Sequence, residues 1–286
     1  MPFQDKRVAV VGLGLMGGSL AAALKARHAC QEVIGIARPS WGFLEDFARL
    51  LVDRATTDLS AVAEADVVVL AIPVRAIIEI LPQVGKSVKP SCLVMDLGST
   101  KTSIIRAMAD LPEHVQPVGG HPMCGKETSG LEAAEPELYQ GQTFVLTPLQ
   151  RSSAEALGLA RELVEATGAC PLVLEAERHD RLVAATSHLP YLCACGLVKT
   201  AEELAQGDEA IWQLTASGFR DTSRLAASDV SLMTDILLTN RKAVIEALDA
   251  CQAQLHDLAN FLLGGDEEGL RIALEASRER RRRGFP

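Results

Sequence analysis

Two polar segments of the sequence carry side chains that could take part in proton transfer. Residues 120–122 read Gly-His-Pro, and residues 98–101 read Gly-Ser-Thr-Lys directly after an apolar run. Histidine is well suited to accept a proton near neutral pH, and polar residues on loops after strands are often functional. We therefore interpret His121 as a candidate general base. The alternative is a histidine that only hydrogen-bonds its own loop.

Two arginines and a second histidine are the other candidates for chemistry. Arg220 and Arg224 lie four residues apart at a predicted helix start, and a planar guanidinium can bind a small anionic substrate in bidentate fashion. Both arginines could instead pair with acids on the surface. His188 interrupts an apolar run, so it is either functional or a hydrogen-bonded core histidine.

The element that must position these side chains lies near the start of the chain. Residues 8–11 predict a buried parallel strand, and the pattern Gly-x-Gly-x-x-Gly follows before a predicted helix. Such glycines permit a tight turn and the approach of a pyrophosphate, and the helix N-terminus points its N–H groups at the phosphates. We predict a dinucleotide site rather than an ordinary turn, with these cofactor-binding residues: Gly12, Gly14, Leu15, Met16, Gly17, Ile72 and Pro73.

The end of the second predicted strand, residues 33–37, bears on which dinucleotide binds. An NAD-preferring site usually carries an acid here to bind the ribose, but this chain continues with Arg38, Pro39 and Ser40. A guanidinium can bind a 2′-phosphate through two charge-assisted hydrogen bonds. We therefore predict that Arg38 and Ser40 select NADP, with NAD less favoured. The alternative is a solvated loop arginine.

Strands and helices alternate up to residue 175, which predicts an α/β fold with a Rossmann-type, doubly wound parallel sheet. Further strands are predicted at residues 66–73, 92–96, 115–118, 143–147 and 171–175. From residue 176 onward only helices are predicted, at residues 178–205, 209–216, 232–263 and 266–283. We expect a dinucleotide-binding domain over residues 1–175 and an all-helical domain over residues 176–286. Pro190 predicts a kink in the first of these helices, whose apolar part should be buried within or between subunits.

The composition excludes several classes of protein. A net charge of −9 over 286 residues argues against nucleic acid as the main partner. We expect no signal peptide, and the apolar runs are shorter than the roughly 20 residues of a membrane span. Seven scattered cysteines without a CxxC pair favour a reducing cytoplasm and no metal site. The arginine-rich residues 278–283 are interpreted as a solvated helix end.

Several motifs together resemble the prephenate/arogenate dehydrogenase family of tyrosine biosynthesis, and are most similar to its NADP-dependent, cyanobacterial-type arogenate dehydrogenases. The matching segments run in family order across most of the chain, and the His-Pro-Met and Ser-His-Leu-Pro segments are the most specific. They are residues 12–20, 96–101, 119–125, 179–190 and 218–226.

The resemblance implies a reaction and a set of roles. A hydride leaves the ring carbon that bears the 4-hydroxyl, and the ring carboxylate departs as CO₂. The histidine matching His121 then assists deprotonation of the hydroxyl, and the serine matching Ser99 supports that hydroxyl. Arg224 matches the arginine that holds the ring carboxylate, and His188 and Glu127 match positions around the substrate pocket. A homodimer formed by the helical domain is also implied.

Two positions bear on the substrate. Met233 stands where some prephenate-using members carry a pocket tryptophan, which favours arogenate, whereas Glu127 matches the prephenate-using branch. We favour L-arogenate, with prephenate as the alternative. Another NADP-linked β-hydroxyacid or imine reductase, or an NADP-binding regulator without activity, are the remaining hypotheses. The His-Pro segment argues against the first of these.

Overall fold

The computed structural model describes residues 3–37, 50–126, 128 and 130–284. Its N-terminal part is an eight-stranded sheet in the order β3-β2-β1-β4-β5-β6-β7-β8. The predicted α/β fold with a doubly wound, mostly parallel sheet is confirmed. The strands are β1 (Arg7–Val11), β2 (Glu32–Ile36), β3 (Arg54–Thr56), β4 (Val67–Leu70), β5 (Leu93–Asp96), β6 (Gln116–Pro122), β7 (Thr143–Pro148) and β8 (Cys170–Val173).

Helices cover both faces of this sheet, and further helices make up the rest of the chain. The first group is α1 (Leu15–Ala26), α2 (Val74–Ser87), α3 (Thr102–Ala109) and α4 (Ala154–Ala166). The second group is α5 (Ala176–Val183), α6 (Leu189–Ala205), α7 (Ala210–Gln213), α8 (Ser217–Ser223), α9 (Val230–Thr239), α10 (Arg241–Gly264) and α11 (Glu267–Gly284). Short 3₁₀ turns occupy Phe3–Asp5, Leu59–Glu64 and Arg224–Ala227. The change from strands to helices falls between β8 and α5.

Strand β1 shows why the sheet lies in the middle of the N-terminal part. Val8 and Val10 are buried in the hydrophobic layer that also contains α1 and α4, whereas Ala9 and Val11 are buried in the layer that contains α2 and α3. Alternate residues of a strand point to opposite faces, so a strand that is apolar throughout must be covered on both sides. Burying each large aliphatic side chain stabilises the fold by about 1.5–3 kcal/mol.

Strand β7 is an exception to the parallel arrangement. It pairs antiparallel with β6, with His121 opposite Val145, whereas the neighbouring pairs β5–β6 and β7–β8 are parallel. The predicted parallel sheet therefore contains one antiparallel pair, at this position. Because β7 runs beside it, β6 continues to Pro122 rather than ending at residue 118 as predicted.

The first long helical stretch of the second part is interrupted by a π turn. Ala184–His188 form that turn between α5 and α6, and the N–H of Leu189 donates to the carbonyl of Ala184, five residues back. Pro190 follows at once; its ring crowds the carbonyl four residues earlier and it has no N–H. A π turn is one of the known irregularities at which a helix departs from its regular hydrogen bonding. The structure thus has a π turn directly before Pro190, where the sequence predicted a kink.

Other helix boundaries differ from the prediction. The helix predicted over residues 232–263 is divided into α9 and α10 at Asn240, which has φ −117° and ψ 27°. The helix predicted over residues 209–216 is only the four-residue α7. Arg220 lies inside α8, and Arg224 begins a 3₁₀ turn rather than sharing a helix start with it.

The helical part exposes many large apolar side chains in the single chain. Leu204, Leu214, Leu262 and Leu263 are between 68% and 85% exposed. The continuous stretch Ala176–Ala205 is also long and apolar enough to cross a membrane by length and composition. Only 28% of its most apolar window is buried in this chain, and three of its polar side chains, His179, Asp180 and His188, are buried in hydrogen bonds described below.

Candidate active site

The loop between β1 and α1 has the shape that a pyrophosphate requires. Gly12 has φ +98°, and a Cβ there would lie 2.5 Å from the carbonyl oxygen of Ala71; a Cβ on Gly17 would overlap the carbonyl of Gly12. Above Gly14, by contrast, no atom of the described residues lies within 4 Å of the Cβ position. Gly14 is also the N-cap of α1, and within the described part of the chain no side-chain hydrogen bond caps this helix start. The loop thus combines open space with an uncapped helix N-terminus, which fits a dinucleotide phosphate.

The other predicted cofactor residues lie around this loop or outside the described residues. Leu15 and Met16 open α1, and Ile72 packs so closely on the turn that a Cβ on Gly12 would lie 2.5 Å from its Cγ2 atom. Pro73 is the N-cap of α2. Arg38, Ser40 and Glu127 are not among the residues that the structure describes.

A second feature fixes α1 beside the loop. The hydroxyl of Tyr139 donates to the carbonyl of Met16 at 2.7 Å, and the N–H of Glu135 donates to the hydroxyl oxygen of Ser19 at 3.0 Å. Tyr139 is fully buried. The segment after β6 therefore packs across the start of α1 and holds its first turn in place.

His121 lies within β6 and not on a loop, so the loop predicted from Gly-His-Pro is wrong. The parallel ladder between β5 and β6 ends at Met95 and Val118. Beyond it, the carboxylate of Asp96 accepts from the N–H of Gly120 at 3.1 Å, and Lys101 Nζ donates to the carbonyl of Gly120 at 2.6 Å. Two side chains thus continue the pairing that β5 no longer provides, and they hold the backbone next to His121.

The same two side chains form a fully buried ion pair. Burial raises the pKa of Asp96 and lowers the pKa of Lys101, while their mutual attraction opposes both shifts. Asp96 also accepts from the N–H of Gly98 at 2.7 Å. Because Gly98 precedes Ser99, one carboxylate fixes the backbone beside both predicted catalytic residues. Breaking such a pair leaves an uncompensated buried charge, which typically costs about 3–5 kcal/mol.

A chain of hydrogen bonds leads from His121 into the helical part. His121 Nδ1 lies 2.8 Å from His179 Nε2, and His179 Nδ1 lies 2.9 Å from Asp180 Oδ1. Asp180 in turn accepts from the backbone N–H groups of Lys101 at 2.7 Å and Thr102 at 2.8 Å. These N–H groups belong to the N-terminus of α3, whose partial positive charge favours an anion. The carboxylate of one structural part therefore caps a helix of the other.

The pKa values of Asp180 and His121 indicate the protonation states at the two ends of this hydrogen-bond chain. Burial alone would raise the pKa of Asp180, but hydrogen bonds from His179, Thr102 and the backbone of Lys101 outweigh it and hold the pKa below its usual value. Burial, and then the neighbouring His179, Lys101 and His188, lower the pKa of His121 well below 6.5. Asp180 is therefore a carboxylate, and His121 is neutral at neutral pH.

A carboxylate only accepts hydrogen bonds, so His179 Nδ1 is the donor to Asp180. In the tautomer in which only Nδ1 of His179 carries a proton, His179 Nε2 accepts from His121 Nδ1. The remaining nitrogen of His121, Nε2, then carries a free lone pair. This is the arrangement of a general base whose orientation is set by a second group and a carboxylate behind it.

His188 joins the same cluster from the π turn. Asn240 Nδ2 donates to the backbone carbonyl of Asp180 at 2.8 Å and lies 3.3 Å from His188 Nδ1. Burial lowers the pKa of His188 to about 4, against the opposing effect of Asp180. His188 is thus a hydrogen-bonded, neutral residue next to the His121 chain, which agrees with the interpretation as a core histidine, and its role around the substrate pocket stays a prediction.

The remaining predicted residues lie on separate elements. Ser99 is partly buried on the loop after β5, beside the carboxyl end of β6. Arg224 is exposed at the start of a 3₁₀ turn that packs against α6, and Met233 is partly buried in α9, which packs against α2. The structure therefore joins His121 and His188 in one hydrogen-bond network, and Asp96 links the backbone next to Ser99 to it. Arg224 and Met233 lie on two other elements, the 3₁₀ turn after α8 and helix α9.

Five residues of this cluster were not chosen from the sequence as site residues: Asp96, Lys101, His179, Asp180 and Asn240. An acid at the carboxyl end of a buried strand and an adjacent His-Asp pair at a helix start were the available signals. Among the described residues, no group of three or more His, Cys, Asp or Glu side chains could hold a metal ion.

Comparison with known proteins accounts for both parts of the chain. The model of the prephenate dehydrogenase nucleotide-binding domain matches residues 20–172, and that of the prephenate dehydrogenase dimerization domain matches residues 175–276. The chain belongs to the prephenate dehydrogenase family. The resemblance predicted from its motifs is confirmed, and the protein is a dehydrogenase of a family that serves tyrosine biosynthesis.

Relatives of this prephenate dehydrogenase family member carry several substrate names. The cyclohexadienyl dehydrogenase of Zymomonas mobilis is 36% identical over 93% of this chain and 91% of its own length. The crystal structure of Synechocystis arogenate dehydrogenase is 30% identical with a TM-score of 0.86, covering 98% of this chain and 100% of its own. That of the A. aeolicus prephenate dehydrogenase, in complex with hydroxyphenyl propionate and NAD⁺, is 29% identical with a TM-score of 0.90, covering 97% and 98%.

Proposed function

We propose that this enzyme catalyses the NADP-linked oxidative decarboxylation of a cyclohexadienyl acid, with L-arogenate converted to L-tyrosine as the main reaction. The observation that supports it best is the hydrogen-bond chain from Asp180 through His179 to His121 Nδ1, which suits His121 Nε2 to accept a proton. His121 lies on β6, which is the third strand from β1 in the order β1-β4-β5-β6. Ligands of open α/β sheets bind at the carboxyl ends of the strands, where the order reverses.

In the proposed mechanism, His121 takes the proton of the substrate's 4-hydroxyl through Nε2. The positive charge that forms on its ring is stabilised by the hydrogen bond to His179, and through it by the carboxylate of Asp180. Ser99 supports the same hydroxyl, and Arg224 binds the ring carboxylate until it departs as CO₂. When bound, the oxidised nicotinamide cofactor would supply the hydride acceptor. Gly12, Gly14 and Gly17 would hold the pyrophosphate of that cofactor.

The preference for NADP rests on residues beyond the glycine loop. Arg38 replaces the acid that would repel a 2′-phosphate, and Ser40 can add a hydrogen bond. The NAD⁺ bound by the A. aeolicus relative makes NAD the alternative for this chain. We propose NADP as the better cofactor and NAD as a poorer one.

The substrate preference is the second open choice. Met233 leaves the proposed side-chain end of the pocket without a tryptophan, which supports arogenate, while Glu127 supports prephenate. Relatives named arogenate, cyclohexadienyl and prephenate dehydrogenase are all similar to this chain. We therefore keep prephenate oxidation to 4-hydroxyphenylpyruvate as the second candidate reaction.

One experiment separates these choices. The purified protein is supplied with arogenate or prephenate, each with NADP⁺ or NAD⁺, and reduction of the cofactor is followed by its absorbance. We expect the highest kcat/KM with arogenate and NADP⁺. A higher value with prephenate would reverse the substrate assignment, and no reduction in any of the four mixtures would refute the proposed reaction.

We further propose a division into domains over residues 1–175 and 176–286 and a homodimer formed by the helical domain. The exposed leucines of α6, α10 and their neighbours, together with the family's dimerization domain, support this. Light scattering after gel filtration should give twice the mass of one chain; a single-chain mass would refute it. The seven cysteines are free thiols, which supports a reducing cytoplasm as the compartment.

A further inference from the structure

Helix α9 contacts the nucleotide-binding part at two places. The Oδ2 atom of Asp235 accepts from the backbone N–H of Arg75 at 3.3 Å, and its Oδ1 atom lies 3.2 Å from Arg75 Nε. Four residues later, the hydroxyl of Thr239 lies 3.0 Å from that of Thr100. The first contact reaches the start of α2, and the second reaches the loop that carries Ser99.

The contact at Asp235 serves as a helix cap from outside the helix. Pro73 is the N-cap of α2 and provides no side-chain hydrogen bond, so the first N–H groups of that helix need another acceptor. Asp235 is only 9% exposed, and it provides both an acceptor oxygen and a negative charge at the positive end of α2. The position of this helix start therefore depends on a residue of the helical part.

The start of α2 leads directly to the dinucleotide loop. Ile72 and Ala71 immediately precede Pro73, and their atoms lie so close to Gly12 that no Cβ would fit there. A shift of the α2 N-terminus moves Pro73, Ile72 and the wall of the Gly12 turn together. A continuous series of contacts thus runs from Asp235 on α9 through Arg75 to the phosphate-binding turn.

We infer that Asp235 is a positioning residue for the cofactor, which holds the Ile72–Pro73 wall of the dinucleotide site from the helical part. The inference rests on the proposed function in one respect, because it takes the dinucleotide to bind at the Gly12 turn. Its effect belongs to cofactor binding and not to proton transfer. The Thr239 contact gives α9 a second anchor, so removing Asp235 alone leaves the helix docked.

The test measures binding of NADP⁺, and of NAD⁺ in a parallel series, to the full chain by isothermal titration calorimetry without substrate. Loss of a side-chain cap costs about 0.5–2 kcal/mol, which corresponds to about a 2- to 30-fold higher Kd. We expect Asp235→Ala to raise the dinucleotide Kd and the cofactor KM by such a factor, with kcat changed less than about twofold. Asp235→Asn keeps an acceptor oxygen for the N–H of Arg75, so it should recover most of the affinity.

Asp229→Ala is the matched control. Asp229 caps α9 itself by accepting from the N–H of Leu232 at 2.7 Å, so its loss weakens the same helix by the same chemistry at its exposed end. The inference is refuted if Asp235→Ala leaves the dinucleotide Kd unchanged, or if Asp229→Ala raises it equally. Both outcomes are dinucleotide Kd values measured without substrate. Failure of the wild-type protein to oxidise arogenate or prephenate would refute the proposed reaction and leave this inference standing.

Discussion

Replacing Asp180 by asparagine tests the proposed hydrogen-bond chain at the end that is farthest from His121. The carboxylate accepts from Lys101, Thr102 and His179 at once, whereas an amide has only one acceptor oxygen. Whichever way the amide turns, its NH₂ group meets at least one N–H donor. The backbone carbonyl of residue 180 keeps its hydrogen bond from Asn240, which helps to hold the start of α5 in place.

The expected loss of activity follows from the bond that is removed. A hydrogen bond to a charged group contributes about 1.5–3 kcal/mol, and this one stabilises the cation that forms when His121 takes the proton. Dividing by 1.36 kcal/mol per tenfold change in rate gives a kcat about 10- to 150-fold lower for Asp180→Asn. Because Asp180 is bonded to His179 and the start of α3 and has no proposed contact with the substrate, KM should change much less than kcat.

The assay is steady-state turnover of the preferred substrate, with thermal unfolding measured on the same samples. Asp66→Asn is the matched control, since Asp66 also accepts from a backbone N–H, that of Arg7 at 2.9 Å, but lies at the opposite end of the sheet. We expect the control to keep the wild-type kcat. A folded Asp180→Asn protein with wild-type kcat would show that the carboxylate has no part in proton transfer, and an equal loss in Asp66→Asn would assign the effect to stability.

The remaining predictions concern the base, the substrate anion, the cofactor and pH. His121→Asn should lower kcat by about 10²- to 10⁴-fold, the usual contribution of a general base; near-normal turnover would remove this residue from the mechanism. Arg224→Ala should raise the substrate KM by about 10- to 150-fold through the loss of one charge-assisted contact, and an unchanged KM would mean that the carboxylate is bound elsewhere. Arg38→Ala should reduce the preference for NADP⁺ over NAD⁺ by about 10- to 100-fold, whereas equal losses with both cofactors would indicate a folding defect. The pKa of His188 is lowered to about 4 by burial, so the unfolded chain binds its proton near pH 6.5 and the folded chain does not. The free energy of unfolding should therefore fall by about 3 kcal/mol from this residue between pH 7 and pH 4. Denaturation of His188→Gln by urea should show a smaller pH dependence over that range, and an identical slope would contradict the assignment.

The sequence predicts those features that depend on neighbouring residues. The dinucleotide turn could be predicted because its glycines, its strand and its helix are adjacent in the chain. The alternation of strands and helices predicts the sheet for the same reason, since each unit has its own hydrophobic pattern.

Features that depend on distant residues could not be predicted in this way. His121 and His179 are 58 residues apart and belong to different parts of the fold, so no local pattern indicates that they form one chain. The Gly-His-Pro segment resembles a loop because both of its flanking residues are typical of turns. The segment forms a strand because it pairs with β7, whose residues lie more than 20 positions further along the chain.

The position of His121 on a strand also affects the entropy of the proposed reaction. A base on a mobile loop must become ordered each time substrate binds, and fixing the backbone of one residue costs about 1–2 kcal/mol. His121 is already paired with Val145 on one side, and the neighbouring Gly120 is held by Asp96 and Lys101 on the other. That cost is met once, when the chain folds, so substrate binding energy remains available to orient the cyclohexadienyl ring.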